Sequence, residues 1–320
     1  MGRHVAGDAP EMDRLVDEAC AGIGREVDGL RVPRLAGVVL GGGYGRGEGG
    51  VMEPAGAARR LSNDLDFFAV AEEGSTDADA AAIAAALEPV SRRWTESLGI
   101  DVDFTARTPW RLRHDQERLM VQELVHGYFD VAGGKGESLF AGIERREPSD
   151  FPWMEAARLL MNRGVGLLLA LEPLRDRGFV VRNINKCILG AGDAFLISRG
   201  LYQWRAEERA AALEARGDDG LYARAVEWKF RPREEPVCDW ERARECWLDT
   251  KMEVVAAVDD AGYRRSLRSA ARWLARRRTL GEAGTFGQDP VVRVLYGVER
   301  CVRERRTLPP SLRRDWEVFN

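Results

Sequence analysis

A turn written Leu40-Gly41-Gly42-Gly43-Tyr44-Gly45-Arg46-Gly47-Glu48 follows directly on the apolar run Gly37-Val38-Val39-Leu40. Glycines at this density weaken the interior of any helix or strand. The chain must therefore leave an apolar strand here and enter a permissive turn. The segment Asn63-Asp64-Leu65-Asp66-Phe67-Phe68 then alternates two carboxylates with apolar residues, which predicts the start of a second strand. Alternation puts Asp64 and Asp66 on one face of that strand. A third acidic segment, Ile100-Asp101-Val102-Asp103-Phe104, follows after a predicted helix.

Carboxylates placed side by side on apolar strands repel. At about 4 Å and an effective dielectric near 20, each such pair costs on the order of 4 kcal/mol. A hard divalent cation relieves that repulsion, and magnesium is the expected one. A glycine-rich turn beside the cation suits phosphate oxygens, because glycine lets the backbone approach closely. The residues alone thus point to a cation and a phosphate at one acidic strand site.

The first half mixes strands and helices. Helices are predicted over 10–30, 76–98 and 115–126, with Ser75 or Thr76 as the cap of the second. Strands are predicted over 36–40, 64–70 and 100–105, a loop with a short helical piece over 49–62, and a glycine-containing connection or hairpin over 127–140. From about Pro152 strand patterns fade, and helices are predicted over 153–174, 183–205, 205–216, 239–259, 262–279 and 289–305. Seven of the nine tryptophans lie in this half, which suits wide helix–helix seams. The domain boundary falls at 148–152, giving domains 1–150 and 151–320 expected to pack around a shared cleft.

A glycine turn, an Asp-x-Asp strand and a further strand aspartate, in that order, resemble the DNA polymerase beta-like nucleotidyltransferase superfamily. The matching elements are Gly42-Gly43, Asp64-Leu65-Asp66-Phe67 and Asp103. Tyr44-Gly45-Arg46-Gly47-Glu48 is similar to the segment that follows the glycine pair in minimal and small-molecule members. In the second half, Lys186 followed by Gly192-Asp193-Ala194-Phe195-Leu196-Ile197 resembles the helical partner domain of the kanamycin- and lincosamide-type enzymes. Two departures stand out: Gly43 replaces the family's frequent serine, and the spacer from Gly43 to Asp64 is longer than usual.

The resemblance implies an α+β architecture, with a small mixed sheet flanked by helices followed by an all-α helical bundle. It implies a metal-dependent transferase moving a nucleoside monophosphate from a nucleoside triphosphate, ATP foremost, to a hydroxyl or amine acceptor between the two domains. Two magnesium ions would be held by Asp64, Asp66 and Asp103, with Asp103 also a candidate general base. Gly42, Gly43, Arg46 and Lys186 would contact the nucleotide. Asp101 shares a face with Asp103, which is preferred because Val102 and Phe104 bracket it as Leu65 and Phe67 bracket Asp66. Arg46 serves either the triphosphate or a pairing with Glu48 that fixes the turn. Lys186 serves either the triphosphate or a helix salt bridge with Asp193, seven residues on.

A small-molecule acceptor is the leading expectation, with Glu155, Asp193 and Glu227 available to a polyamine. The alternatives are a macromolecular acceptor, tRNA or protein, docking on the arginine-rich stretch Arg264–Arg278, and a non-catalytic nucleotide-binding protein that keeps the fold. A net charge of −4 argues against a general nucleic-acid coat. No Gly-Lys-(Ser/Thr) follows the glycines, which disfavours a P-loop. The five scattered cysteines form no Cys-x-x-Cys pair, and a reducing cytoplasm without a membrane span is expected. The sequence leaves open the acceptor, the preferred base and whether the chain forms a homo-oligomer.

Overall fold

The computed structural model describes residues 3–54, 56–217, 219–261 and 290–319. The chain divides into two compact units. The first runs to Arg146 and also takes in Lys229–Arg233; the second holds Glu147–Trp228 and the described residues from Glu234 onward. The first is a mixed α/β unit with a small sheet and the second is helical, as the expected α+β class requires.

In the first unit a four-stranded mixed sheet has the spatial order Val102–Arg107, Leu65–Ala71, Leu35–Leu40, Phe129–Gly133. Its strands are β1 (Leu35–Leu40), β4 (Leu65–Ala71), β5 (Val102–Arg107) and β6 (Phe129–Gly133). β1 runs antiparallel to β4 and to β6, whereas β4 and β5 are parallel. The parallel pair needs a crossover, which α3 (Asp77–Leu98) supplies. Thr76 caps α3 in a reciprocal box with Asp79: the Asp79 backbone N–H donates to Thr76 Oγ1 at 3.2 Å, and the Thr76 backbone N–H donates to Asp79 Oδ2 at 2.7 Å.

Strand alternation sorts the side chains into two cores. On one face Val38, Leu40, Leu65, Phe67, Ala69 and Val102 pack with Met12, Val16, Ile23 and Val27 of α1 (Pro10–Leu30) and with Ile83, Leu87 and Val90 of α3. On the other, Val39, Phe68 and Val70 pack with Leu112 of α4 (Pro109–His114), Val121, Leu124 and Val125 of α5 (Leu119–His126) and Leu139 of α6 (Gly136–Leu139). Asp66 and Asp103 share the parity of Phe68 and so belong to the second face, at the end of the sheet where β1 gives way to the glycine turn.

Several elements differ from the sequence reading. The 49–62 segment holds two short paired strands, β2 (Val51–Met52) and β3 (Arg60–Leu61), in place of a helical piece. The predicted 115–126 helix is shorter, α5 alone, and α4 ahead of it is an additional helix that Thr108 caps before Pro109. β4 begins at Leu65, so Asp64 lies just ahead of the strand.

In the second unit α7 (Trp153–Leu169), α8 (Arg177–Ser198) and the helices Trp240–Ala261 and Pro290–Glu304 pack together. Trp247 is fully buried among them, and its indole donates to Leu160 O at 2.8 Å. Gly164 lies under that ring, where a Cβ would come within 2.7 Å of Trp247. The helices Leu221–Phe230 and Pro310–Phe319 have no counterpart in the sequence reading. The predicted helix 262–279, with its Arg264–Arg278 face, lies outside the described residues. Among the described residues no helix is long and apolar enough to cross a membrane.

Candidate active site

β1 ends at Leu40, and the chain turns through Gly41 into the single-turn helix α2 (Gly42–Gly45). The Gly41 N–H donates to Asp66 O at 2.8 Å, which ties the turn to β4 beside the acidic residue. Gly42 adopts φ +60°, and a Cβ there would lie 2.1 Å from Asp66 Oδ2. Only glycine meets both demands. Gly43 is different: a Cβ at that position would meet nothing nearer than Glu48 O at 3.4 Å. The two glycines that the sequence treats as equals thus have separate reasons to exist.

The residues after the pair brace the turn. Tyr44 is 1% exposed; its hydroxyl donates to Gly50 O at 2.7 Å and accepts from Ser62 N at 3.1 Å. Burial pushes its phenol up to about 12. One side chain therefore links the glycine turn to the approach to β4, where Asp64 sits. Arg46 Nη1 lies 3.2 Å from Glu123 Oε2 on α5, and Arg46 Nε lies 4.0 Å from Glu48 Oε2. Glu48 is buried and meets Lys229 Nζ at 2.6 Å. Its backbone N–H donates to Gly43 O at 2.8 Å, closing the turn. The observed contacts of Arg46 are thus with Glu48 and Glu123, in line with the pairing that the sequence offered as one of its two roles.

Asp66 and Asp103 are register partners on the parallel pair β4 and β5. Asp64 lies just ahead of β4, and Asp101 precedes β5, where its carbonyl accepts from Leu65 N at 2.9 Å. Burial pushes the Asp103 carboxyl above the ordinary range, and the charges of Asp64, Asp101 and Glu88 push it the same way. Among the described residues no ion pair with a basic side chain reaches Asp64 or Asp103. Among the described residues, no three His, Cys, Asp or Glu side chains converge as a ready-made metal cage. Magnesium does not require one, because it takes one or two carboxylates and completes its shell with water and substrate phosphates. Hard oxygen donors that repel one another fit such an ion in chemistry. Beside Asp103 lies an open depression of about 300 Å³, lined also by Ala84, Ala85, Glu88, Ser91 and Phe104.

Lys186 belongs to the second unit, exposed on α8. Its face-mate Asp193 is taken by other groups: Arg209 Nε lies 2.8 Å from its Oδ1, and the Tyr222 hydroxyl donates to it at 2.5 Å. Glu155 pairs with Arg158. Both carboxylates thus form ion pairs within their own unit. Sequence reading missed Lys229, Glu123 and the bracing role of the Tyr44 hydroxyl. Lys229 is one of only four lysines, a scarcity that blends into the chain's general preference for arginine.

No protein-family model and no curated protein matches this chain. Among solved structures, the chain is similar to spectinomycin adenyltransferase AAD(9) from Enterococcus faecialis, crystallised with ATP and spectinomycin. The likeness is distant. Identity is 13% and the TM-score 0.45, over 74% of this chain and 98% of that one. The functional reading accordingly rests on the residues described above.

Proposed function

We propose that the first unit is a nucleotidyltransferase, moving a nucleoside monophosphate from a nucleoside triphosphate, ATP foremost, to a hydroxyl or amine acceptor. The observation that carries this reading is the placement of Asp66 and Asp103 abreast on β4 and β5, with Gly42 fitted against the Asp66 carboxylate. Asp64, Asp66 and Asp103 would hold magnesium. When bound, the ion neutralises triphosphate charge and lowers the pKa of a nearby hydroxyl.

The chain's own residues account for the remaining work. Asp103, made a better base by burial and by its acidic neighbours, accepts the acceptor's proton. The freed acceptor oxygen or nitrogen forms a bond to the α-phosphorus, the bridging bond to the β-phosphate breaks, and pyrophosphate leaves. Gly42 and Gly43 let backbone N–H groups approach the phosphates. Arg46, Glu48 and Lys229 keep that turn in shape.

The test is pyrophosphate release with ATP and magnesium over a panel of amino-sugar, polyol and polyamine acceptors, with tRNA included. Acceptor-dependent release is expected from the wild type and lost in Asp66→Asn, which removes charge at constant shape. Unchanged turnover in that variant would sink the reading. Release that depended on tRNA alone would move the acceptor to the macromolecular class.

A further inference from the structure

The segment Arg3–Ala6 is strapped across the outside of the glycine turn. Asp13 pins it to α1: Oδ1 accepts from His4 N at 2.7 Å and Val5 N at 3.0 Å, and Oδ2 accepts from Arg3 N at 3.0 Å. The strap runs beside Gly49, whose N–H donates to His4 O at 3.0 Å and whose carbonyl accepts from Ala6 N at 2.9 Å. From the strap, the His4 ring turns inward. It is 1% exposed and stands edge-on to Phe129 at 5.0 Å. Nδ1 lies 3.2 Å from Tyr44 O, and Nε2 lies 3.0 Å from Asp17 Oδ1.

Both partners accept only, so each bond requires an N–H from the ring. A neutral imidazole has one N–H and an imidazolium has two, so the two bonds coexist only in the cation. The carbonyl it holds matters to the turn. In a longer helix Glu48 N would donate to Tyr44 O, but here it donates to Gly43 O instead. His4 supplies the donor that Tyr44 O does not receive from within α2.

We infer that His4 is a positioning residue for the glycine turn, holding the Tyr44 carbonyl as an imidazolium, and that nucleotide binding at the turn weakens when the ring loses its proton. This rests on the nucleotide reading above. The groups around the ring are Arg3 on its own strap, 3.1 Å from Asp17; Asp13, Asp17 and Cys20 on α1; and Tyr44 on α2. Phe129 of β6 adds no charge. The Cys20 thiol and the Tyr44 phenol are both pushed up to about 12 by burial, and neither titrates near neutrality. The sign follows from the bonds: the imidazolium makes both, and the neutral ring keeps one.

The test uses the full chain and two readouts. In the first, α,β-methylene-ATP with magnesium is titrated calorimetrically at pH 6 and pH 8.5, on wild type and His4→Gln. Wild type is expected to lose about tenfold more affinity over that interval than His4→Gln, the equivalent of one charge-assisted hydrogen bond at about 1.4 kcal/mol. Any pH dependence that remains in His4→Gln belongs to groups other than the ring. Parallel profiles for the two proteins would overturn the inference.

The second readout needs neither nucleotide nor variant. Amide shifts of Gly45, Glu48 and Gly49 are followed by NMR while the His4 ring nitrogens are titrated in the wild type. Movement of those amides in step with the ring is expected. Amides that stay fixed while the ring titrates would overturn the inference even if His4→Gln failed to fold. Absence of nucleotide binding at both pH values, with the amides still tracking the ring, would instead overturn the nucleotide reading.

Discussion

At the scale of single residues the glycine pair makes the sharpest contrast. Gly42→Ala forces a side chain into φ +60° and places its Cβ 2.1 Å from Asp66 Oδ2. Left-handed backbone at a residue with a side chain costs about 1–3 kcal/mol before the clash is counted. Gly42→Ala is therefore expected to lower the midpoint of thermal unfolding and to abolish transfer. Gly43→Ser, with its nearest neighbour at 3.4 Å, should fold as well as wild type, and it restores the hydroxyl common in the family the motif resembles. Equal losses in the two variants, read by calorimetry, would show that the turn does not distinguish them. Asp103 gives the opposite kind of prediction. Its folded carboxyl titrates above the ordinary carboxylate range, so the folded state loses stability as pH rises through that raised value. Asp103→Asn removes that cost and should melt above wild type at pH 7–8 while losing transfer. A lower melting point would contradict the crowding that burial, Asp64, Asp101 and Glu88 impose.

At the scale of elements, stability and function separate along the chain. The α3 cap lies away from the acidic residues, and Thr76→Ala should cost about 1 kcal/mol with kcat unchanged. Lys229→Met leaves the buried Glu48 without its 2.6 Å partner and should cost about 3 kcal/mol. The double variant Lys229→Met/Glu48→Met should recover part of that loss. A double-variant loss equal to the sum of the single ones would show that the pair is not coupled. These elements also show how much was legible in the sequence. α1, β1 and α3 stood out because amphipathic periodicity, an apolar run and a Thr cap are local signals. The strand carrying Asp66 was legible for the same reason, but its register against Asp103 was not, because that pairing joins two strands across the length of α3. The braces were not legible. Lys229 meets Glu48 across 181 positions, and His4 reaches Tyr44 across 40, so no window of sequence contains either pair. β2 and β3 escaped because two-residue strands leave too little alternation to read.

At the scale of the whole molecule, chemistry and bulk lie in different units. Each of the three carboxylates proposed to bind magnesium, and the turn beside them, comes from the first unit. The second unit holds buried charge pairs that serve its own packing, Asp193 with Arg209 at 2.8 Å and Lys251 with Glu299 at 2.5 Å. The net charge of −4 places no general basic field on the chain, so attraction of a triphosphate has to come from local groups and the cation. The measurement that tests this most directly is calorimetric titration of α,β-methylene-ATP at fixed pH, with and without magnesium, on wild type and on Asp64→Ala/Asp66→Ala. Magnesium-dependent binding by the wild type, lost in the double variant while its fold persists, is the expected result. Binding that ignored magnesium, or that survived in the double variant, would contradict the acidic strand site as the centre of this protein's chemistry.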